Sequence, residues 1–123
     1  MTAYRWLKVA MIAVVIASCG KPLPELDGFD KVKFAEDRNG CLGKRLLMTD
    51  ALRRQKDKLL ALDEMKIVAV LGKPDHNELY KRNQKFYHYY LSPSADCAAA
   101  DTGSLKLVIR FNAMGLAKEV AVE

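Results

Sequence analysis

Leu62-Asp63-Glu64-Met65-Lys66-Ile67-Val68-Ala69-Val70-Leu71-Gly72-Lys73-Pro74 carries nearly every signal by which a short helix starts and stops. Asp63 is placed to accept from the first free amides, and Glu64 sits at the positive end of the helix dipole. Leu62, just before the cap, stands at staple spacing from Ile67. Gly72 suits a left-handed exit, and Pro74 forbids continuation. Ile67, Val70 and Leu71 then form one apolar stripe, which needs a surface to lie on. The flanking sequence offers one on each side.

Downstream, Lys85–Leu91 alternates at strand period, with Tyr87, Tyr89 and Leu91 on one face and Phe86, His88 and Tyr90 on the other. Ser92–Gly103 reads as a loop and contains Cys97. Leu105, Leu107, Ile109 and Phe111 then alternate with Lys106, Val108 and Arg110. Asn112-Ala113-Met114-Gly115 predicts a tight connection to a last strand, Leu116–Val122, with Val120 and Val122 inward and Lys118 on the same face near the rim. Upstream, Met48, Ala51, Leu52 and Leu59 recur at helical spacing between Leu42 and about Leu60. Arg45, Asp50, Arg53, Arg54, Lys56 and Lys58 are expected on the opposite, solvated face. That helix starts near Gly43 or restarts at Thr49, a good cap residue. The basic run Arg53-Arg54-Gln55-Lys56 reads as a solvated face, or as one that touches anionic lipid or a partner's acids. The expected fold is α+β: two helices packed on one face of a three-stranded antiparallel meander, ααβββ, a two-layer sandwich.

The other end of the chain speaks to location. Residues 1–8 hold Arg5 and Lys8 and no acid, and Val9–Ala17 is uncharged and closed by the small Ser18. This is the layout of a secretory signal peptide. The apolar run is about half of the ~20 residues a transmembrane helix requires. Ile16-Ala17-Ser18-Cys19 resembles the lipobox of bacterial lipoproteins. The resemblance implies that residues 1–18 are removed and that Cys19 carries a diacylglyceryl group and an acylated amine, the membrane being the first partner. Two or three acyl chains hold a protein stably where one does not. Gly20 after the cysteine, rather than Asp, implies the outer membrane of a Gram-negative cell, facing the periplasm. Residues 19–31, with two prolines and two glycines between Gly20 and Asp30, read as the lipidated Cys and a linker lifting the domain off the bilayer. Residues 32–123 read as the domain, with Val32-Lys33-Phe34 as a short docking segment.

Losing Arg5 and Lys8 lowers the formal charge of +5 by two. That balance is too mild for a nucleic-acid binder, so no nucleic-acid partner is expected. With Cys19 used for lipid, Cys41 and Cys97 read as one disulfide of an oxidising compartment. Closing a loop of that length would stabilise by ~4 kcal/mol. A redox pair or metal ligands are the alternatives, without a Cys-x-x-Cys or a His at ligand spacing to favour them.

The ααβββ order behind a lipobox, the Leu71-Gly72-x-Pro74 stop, Tyr87-x-Tyr89-x-Leu91 and Leu107-x-Ile109-x-Phe111-Asn112-x-x-Gly115 together resemble the SmpA/OmlA-type (BamE-like) small outer-membrane lipoproteins. The resemblance runs from about Leu59 to Val122. It implies the fold and an envelope setting, possession of a fold being no statement of activity.

No residue set compels a reaction. His76 and His88 lack further metal ligands at a suitable spacing, so no metal and no cofactor are expected. Ser92, Ser94 and Ser104 stand in no nucleophile-elbow motif. Asp96 and Asp101 share one loop, where a rigid carboxylate cleft is hard to build. Asp75 and His76 beside Glu78 form the best acid/base cluster, but adjacent residues in a turn are weak evidence and ordinary turn polarity is the better account of them. The aromatic strand is more informative. With Tyr87 and Tyr89 inward, Phe86, His88 and Tyr90, with Val108, Lys106 and Arg110 beside them, form an aromatic stripe rimmed by cations, the composition of a protein interface. The bland alternative is a face shielded by the Asp30–Phe34 segment. The expectation is a non-enzymatic binding or scaffold module whose partner is an envelope protein. A second expectation rests on a resemblance to β-lactamase-inhibitory domains, in which an exposed sheet occupies a hydrolase cleft.

Overall fold

A computed structural model describes residues 22–97 and 105–123. Cys19 and the signal-like segment before it lie outside the described residues, as do Asp101, Gly103 and Ser104. The architecture is α+β: helices α1 (Lys31–Glu36), α2 (Thr49–Gln55) and α3 (Glu64–Leu71), then strands β1 (His76–Tyr80), β2 (Gln84–Tyr90), β3 (Lys106–Phe111) and β4 (Ala117–Val122). The strands form one antiparallel meander in the order β1-β2-β3-β4.

Helix α3 follows its signals closely. The Asp63 carboxylate accepts from the Lys66 amide at 2.8 Å. Leu62, Ile67 and Leu71 are fully buried. Gly72 takes φ +88, as the stop requires, but its ψ of −176 sends the chain out extended rather than into a left-handed turn. Both inward tyrosines of β2 hold this helix to the sheet. Tyr87 donates to Glu64 Oε1 at 3.1 Å at one end, and Tyr89 donates to the Gly72 carbonyl at 2.8 Å at the other. A buried phenol keeps a partner for its hydroxyl, and these two use theirs to set the helix's position. Burial, with Glu64 alongside, pushes the Tyr87 hydroxyl up to about 12.

Inward side chains align across the strands as the alternation demands. Tyr89 opposes Leu107, which opposes Val122, and Tyr87 opposes Ile109, which opposes Val120. Asn112 closes the last hairpin, its side chain accepting from the amides of Met114 and Leu116. The register shifts between Arg110 and Phe111. Arg110 opposes Glu119 and Phe111 opposes Ala117, so Lys118 is the extra residue of a bulge rather than a member of the inward face.

Beyond the Lys118 bulge, several features depart from the sequence expectation. The sheet has a fourth strand, β1, whose five residues are all exposed. It buries no apolar side chain, so it leaves no periodic trace. A further helix, α1, turns on the Asp30 carboxylate, which accepts from Val32 and Lys33 amides. It delivers one fully buried side chain, Phe34. Thr49 begins α2 but does not cap it, because at φ −58 and ψ −47 it is already helical and continues the turn Leu46–Met48. The Thr49 hydroxyl is buried without a partner. Lastly, the stretch read as linker is packed from Glu25 onward. Leu26 and Phe29 lie against the core. Gln55 exchanges two bonds of 2.7 Å with the Asp27 backbone, donating to its carbonyl and accepting from its amide.

The largest correction concerns Arg45, expected on a solvated face. Its side chain is 1% exposed and is ion-paired with Asp75, also 1% exposed. Arg45 Nε donates to the Phe34 carbonyl at 2.7 Å, Nη1 donates to the Tyr90 carbonyl at 3.1 Å, and the guanidinium lies 4.5 Å from the Phe34 ring centroid. Asp75 in turn accepts from the amides of Asn39 and Tyr90. Asp37, wholly buried, accepts from the amides of Leu42 and Arg45. One polar cluster thus fastens the irregular segment 37–45 to the end of β2. The sulfurs of Cys41 and Cys97 lie 1.99 Å apart at the same corner, disulfide-bonding distance. Gly40 presses against β2 with φ +69, where a Cβ would meet the Ser92 carbonyl oxygen at 2.6 Å.

Breaking one partner of a buried ion pair strands the other charge, so Asp75→Ala is expected to cost about 3–5 kcal/mol in urea unfolding. Adding Arg45→Met should recover part of that loss, since no buried charge is then left alone. Gly40→Ala should destabilise clearly more than Gly43→Ala, because Gly43 has positive φ but open space around it. At Gly43 only the left-handed penalty of about 1–2 kcal/mol applies.

Candidate interface on the open sheet face

Strand pairing decides which side chains meet on the face away from the helices. Phe86 lies between Glu78 of β1 and Arg110 of β3, and Arg110 opposes Glu119 of β4. His88 lies between His76 and Val108, and Tyr90 opposes Lys106. All five residues expected at an interface, Phe86, His88, Tyr90, Lys106 and Arg110, therefore share one face. The Asp30–Phe34 segment does not cover them. Phe34 packs on the other side of the sheet, its ring 5.8 Å from that of the inward Tyr89.

Strand β1 enlarges the strip beyond what alternation in β2 revealed. Tyr80 meets Phe86 edge-on at 5.7 Å, Phe86 stacks on His88 at 6.3 Å, and His88 lies 5.5 Å from His76. Tyr80, Phe86, His88 and His76 thus form a continuous row of rings across two strands. The polar three-residue turn Lys81–Asn83, with Arg82 and Asn83 both at positive φ, joins the strands. An Asn-ended polar turn ahead of an aromatic strand was the one available sign of this hairpin.

Two carboxylates are engaged around the rings. Arg110 Nε donates to Glu119 Oε2 at 3.1 Å, and His88 Nε2 stands 3.2 Å from Glu78 Oε2. Both pairs reach solvent through their acids, so each contributes little to stability and stays available for exchange with another protein. Phe86, Val108, Arg110 and Glu119 line only a depression of about 70 Å³, far below the ~300 Å³ at which small-molecule pockets begin. Such a surface is suited to a macromolecular partner.

The other candidates fall apart or acquire structural work. Asp75 is consumed by Arg45 and two backbone amides, while His76 is exposed on β1 and Glu78 turns to His88. Ser92 Oγ accepts from the Leu105 amide at 2.6 Å, and Ser94 Oγ accepts from the Asp96 amide. Among the described residues no group of three or more His, Cys, Asp or Glu side chains is placed to hold a metal ion. No described helix is long and apolar enough to cross a membrane. Compared with protein-family models, with curated proteins and with solved structures, the chain matches none.

Burial lowers the pKa of His88 from 6.5, helped by Lys106 and His76, while Glu78 opposes the shift. The folded state thus prefers the neutral ring, so the stability His88 contributes is present above its ordinary pKa and is lost as pH falls through the lower folded value. An NMR titration should place its midpoint below 6.5. The melting temperature should fall on acidification through that window, and His88→Phe should flatten the fall.

Proposed function

We propose that this chain is a lipid-anchored protein of a bacterial cell envelope, held through Cys19 on the periplasmic side of the outer membrane. It works without catalysis, by docking another envelope protein against its open sheet face. The observation that carries the reading is the assembly of Phe86, His88, Tyr90, Lys106 and Arg110 on one sheet face, His88 buried among the others, which are half-buried, with the exposed Tyr80 added by β1. Aromatic anchors with an arginine beside them are the usual hot-spot composition. The anchor reading rests on Arg5, Lys8, the apolar run and Ile16-Ala17-Ser18-Cys19 in the sequence. The SmpA/OmlA-like assignment is part of the same proposal. Its support is the order α2-α3-β2-β3-β4, an ααβββ core to which α1 and the edge strand β1 are added.

Two measurements test it. Mass spectrometry of the protein from its native cells should find an acylated Cys19 as the first residue. A chain that still begins at Met1, or is recovered in the soluble fraction, overturns the anchor. A photo-crosslinker placed at Phe86 should capture a discrete envelope protein in intact cells, Arg110→Glu should reduce capture at least about tenfold, and a crosslinker at Arg54 should capture none. Equal capture from both positions, or none from Phe86, removes the docking face.

A further inference from the structure

The turn before α2 exposes three leucines, Leu42 at 65%, Leu46 at 46% and Leu47 at 88%. Leu47 and Met48 with Phe29 form the apolar wall of an open groove of about 550 Å³, and Lys33 and Lys44 stand on its rim. The acids nearby are committed elsewhere or free in solvent. Asp30 caps α1. Glu36 meets Lys44 at 3.3 Å with both side chains well exposed, a screened pair that leaves Lys44 able to meet another anion. Beyond the groove, residues 44–58 hold Lys44, Arg53, Arg54, Lys56 and Lys58 besides the buried Arg45, against Asp50 and Asp57 alone.

The position of this surface follows from where the chain becomes packed. Glu25 accepts from Lys58 through its carbonyl, and the Asp27 backbone is held by Gln55. Only Gly20 to Pro24 separate Cys19 from the folded body. Fully extended, that span covers at most ~20 Å, less than the roughly 30 Å width of a domain this size. Gly28, Phe29 and Asp30, which line the groove, follow within a few residues of the tether's root.

We infer that the leucine-tipped, lysine-rimmed groove docks onto the anionic bilayer surface that carries the anchor, an inference that rests on the lipidation of Cys19. Leu46 and Leu47 enter the boundary between headgroups and acyl chains, and Lys33 and Lys44 meet lipid phosphates. The anchor supplies residence at the membrane, and this surface supplies orientation.

The test uses the chain from Gly20 onward, which contains every described element and no lipid, sedimented with vesicles of phosphatidylglycerol mixed with phosphatidylcholine or of phosphatidylcholine alone. Binding to the anionic vesicles, weakening as salt rises, is expected. Leu47→Glu should weaken it by at least about tenfold, and Lys33→Gln with Lys44→Gln by a similar factor. Both sites are exposed, so the fold should survive, as circular dichroism would verify. Equal binding to both vesicle types, no binding, or unchanged binding by Leu47→Glu overturns the docking surface. The chain tested lacks Cys19, so these outcomes leave the anchor standing, and the anchor fails separately on the mass of the native N-terminus.

Discussion

Arg45 and Asp75 neutralise each other where neither meets water, and much of the molecule is arranged to permit it. An ion pair taken out of solvent is tolerable only when its remaining donors and acceptors are satisfied. Here the partners come from everywhere at once: the Phe34 carbonyl from α1, both backbone groups of Tyr90 from β2, and the Asn39 amide from the turn between them. The pair therefore helps fix the relative positions of three segments, of which α1 and β2 also meet through the rings of Phe34 and Tyr89. It also stands at the root of β1, since the Asp75 amide donates to the His88 carbonyl at 3.0 Å. With Cys41 and Cys97 at bonding distance close by, a segment with little regular structure is tied to the end of β2 and the loop that follows it.

What could be read in the sequence was whatever obeys a period or a cap. Helix α3 is bounded by Asp63 and Gly72, β2 and β3 alternate along their length, and β4 does so beyond Lys118, so their order and most of their faces were legible. Lys118 was misplaced because a bulge breaks the alternation on which the reading relied. Arg45 was misplaced for a deeper reason. Helical spacing assigned it to a polar face, but residues 37–48 are turns, and a buried arginine is specified by partners distant in sequence. Strand β1 and helix α1 are short, burying no side chain and one respectively, which leaves nothing for periodicity to detect. The apparent linker misled through its prolines and glycines, while Leu26, Phe29 and the reciprocal Gln55 bonds make it part of the body. At the candidate interface, β2 alternation found Phe86, His88 and Tyr90, and the missed strand hid Tyr80 and His76.

The proposed roles divide the molecule by layer. The groove toward the bilayer belongs to the helical layer and the turn before α2, whereas the aromatic row belongs to the opposite face of the sheet. A short tether and a docking turn on one side would hold the sheet's outer surface away from the lipid, turned toward whatever protein approaches. The two proposed contacts share no residue, so each can be altered without touching the other.

Strand β1 has an implication for motion. Its side chains are all exposed, so releasing it from β2 would sacrifice ladder bonds and ring contacts while leaving the apolar interior closed. Segments of that kind open at a fraction of the global free energy, and their amides exchange with deuterium ahead of the core. Because Asp75 pins its first residue and Tyr80–Gln84 closes the far end, the strand would hinge rather than drift. A surface whose outermost ring, Tyr80, rides on such a hinge can adjust its contour to a visitor without disturbing the body beneath.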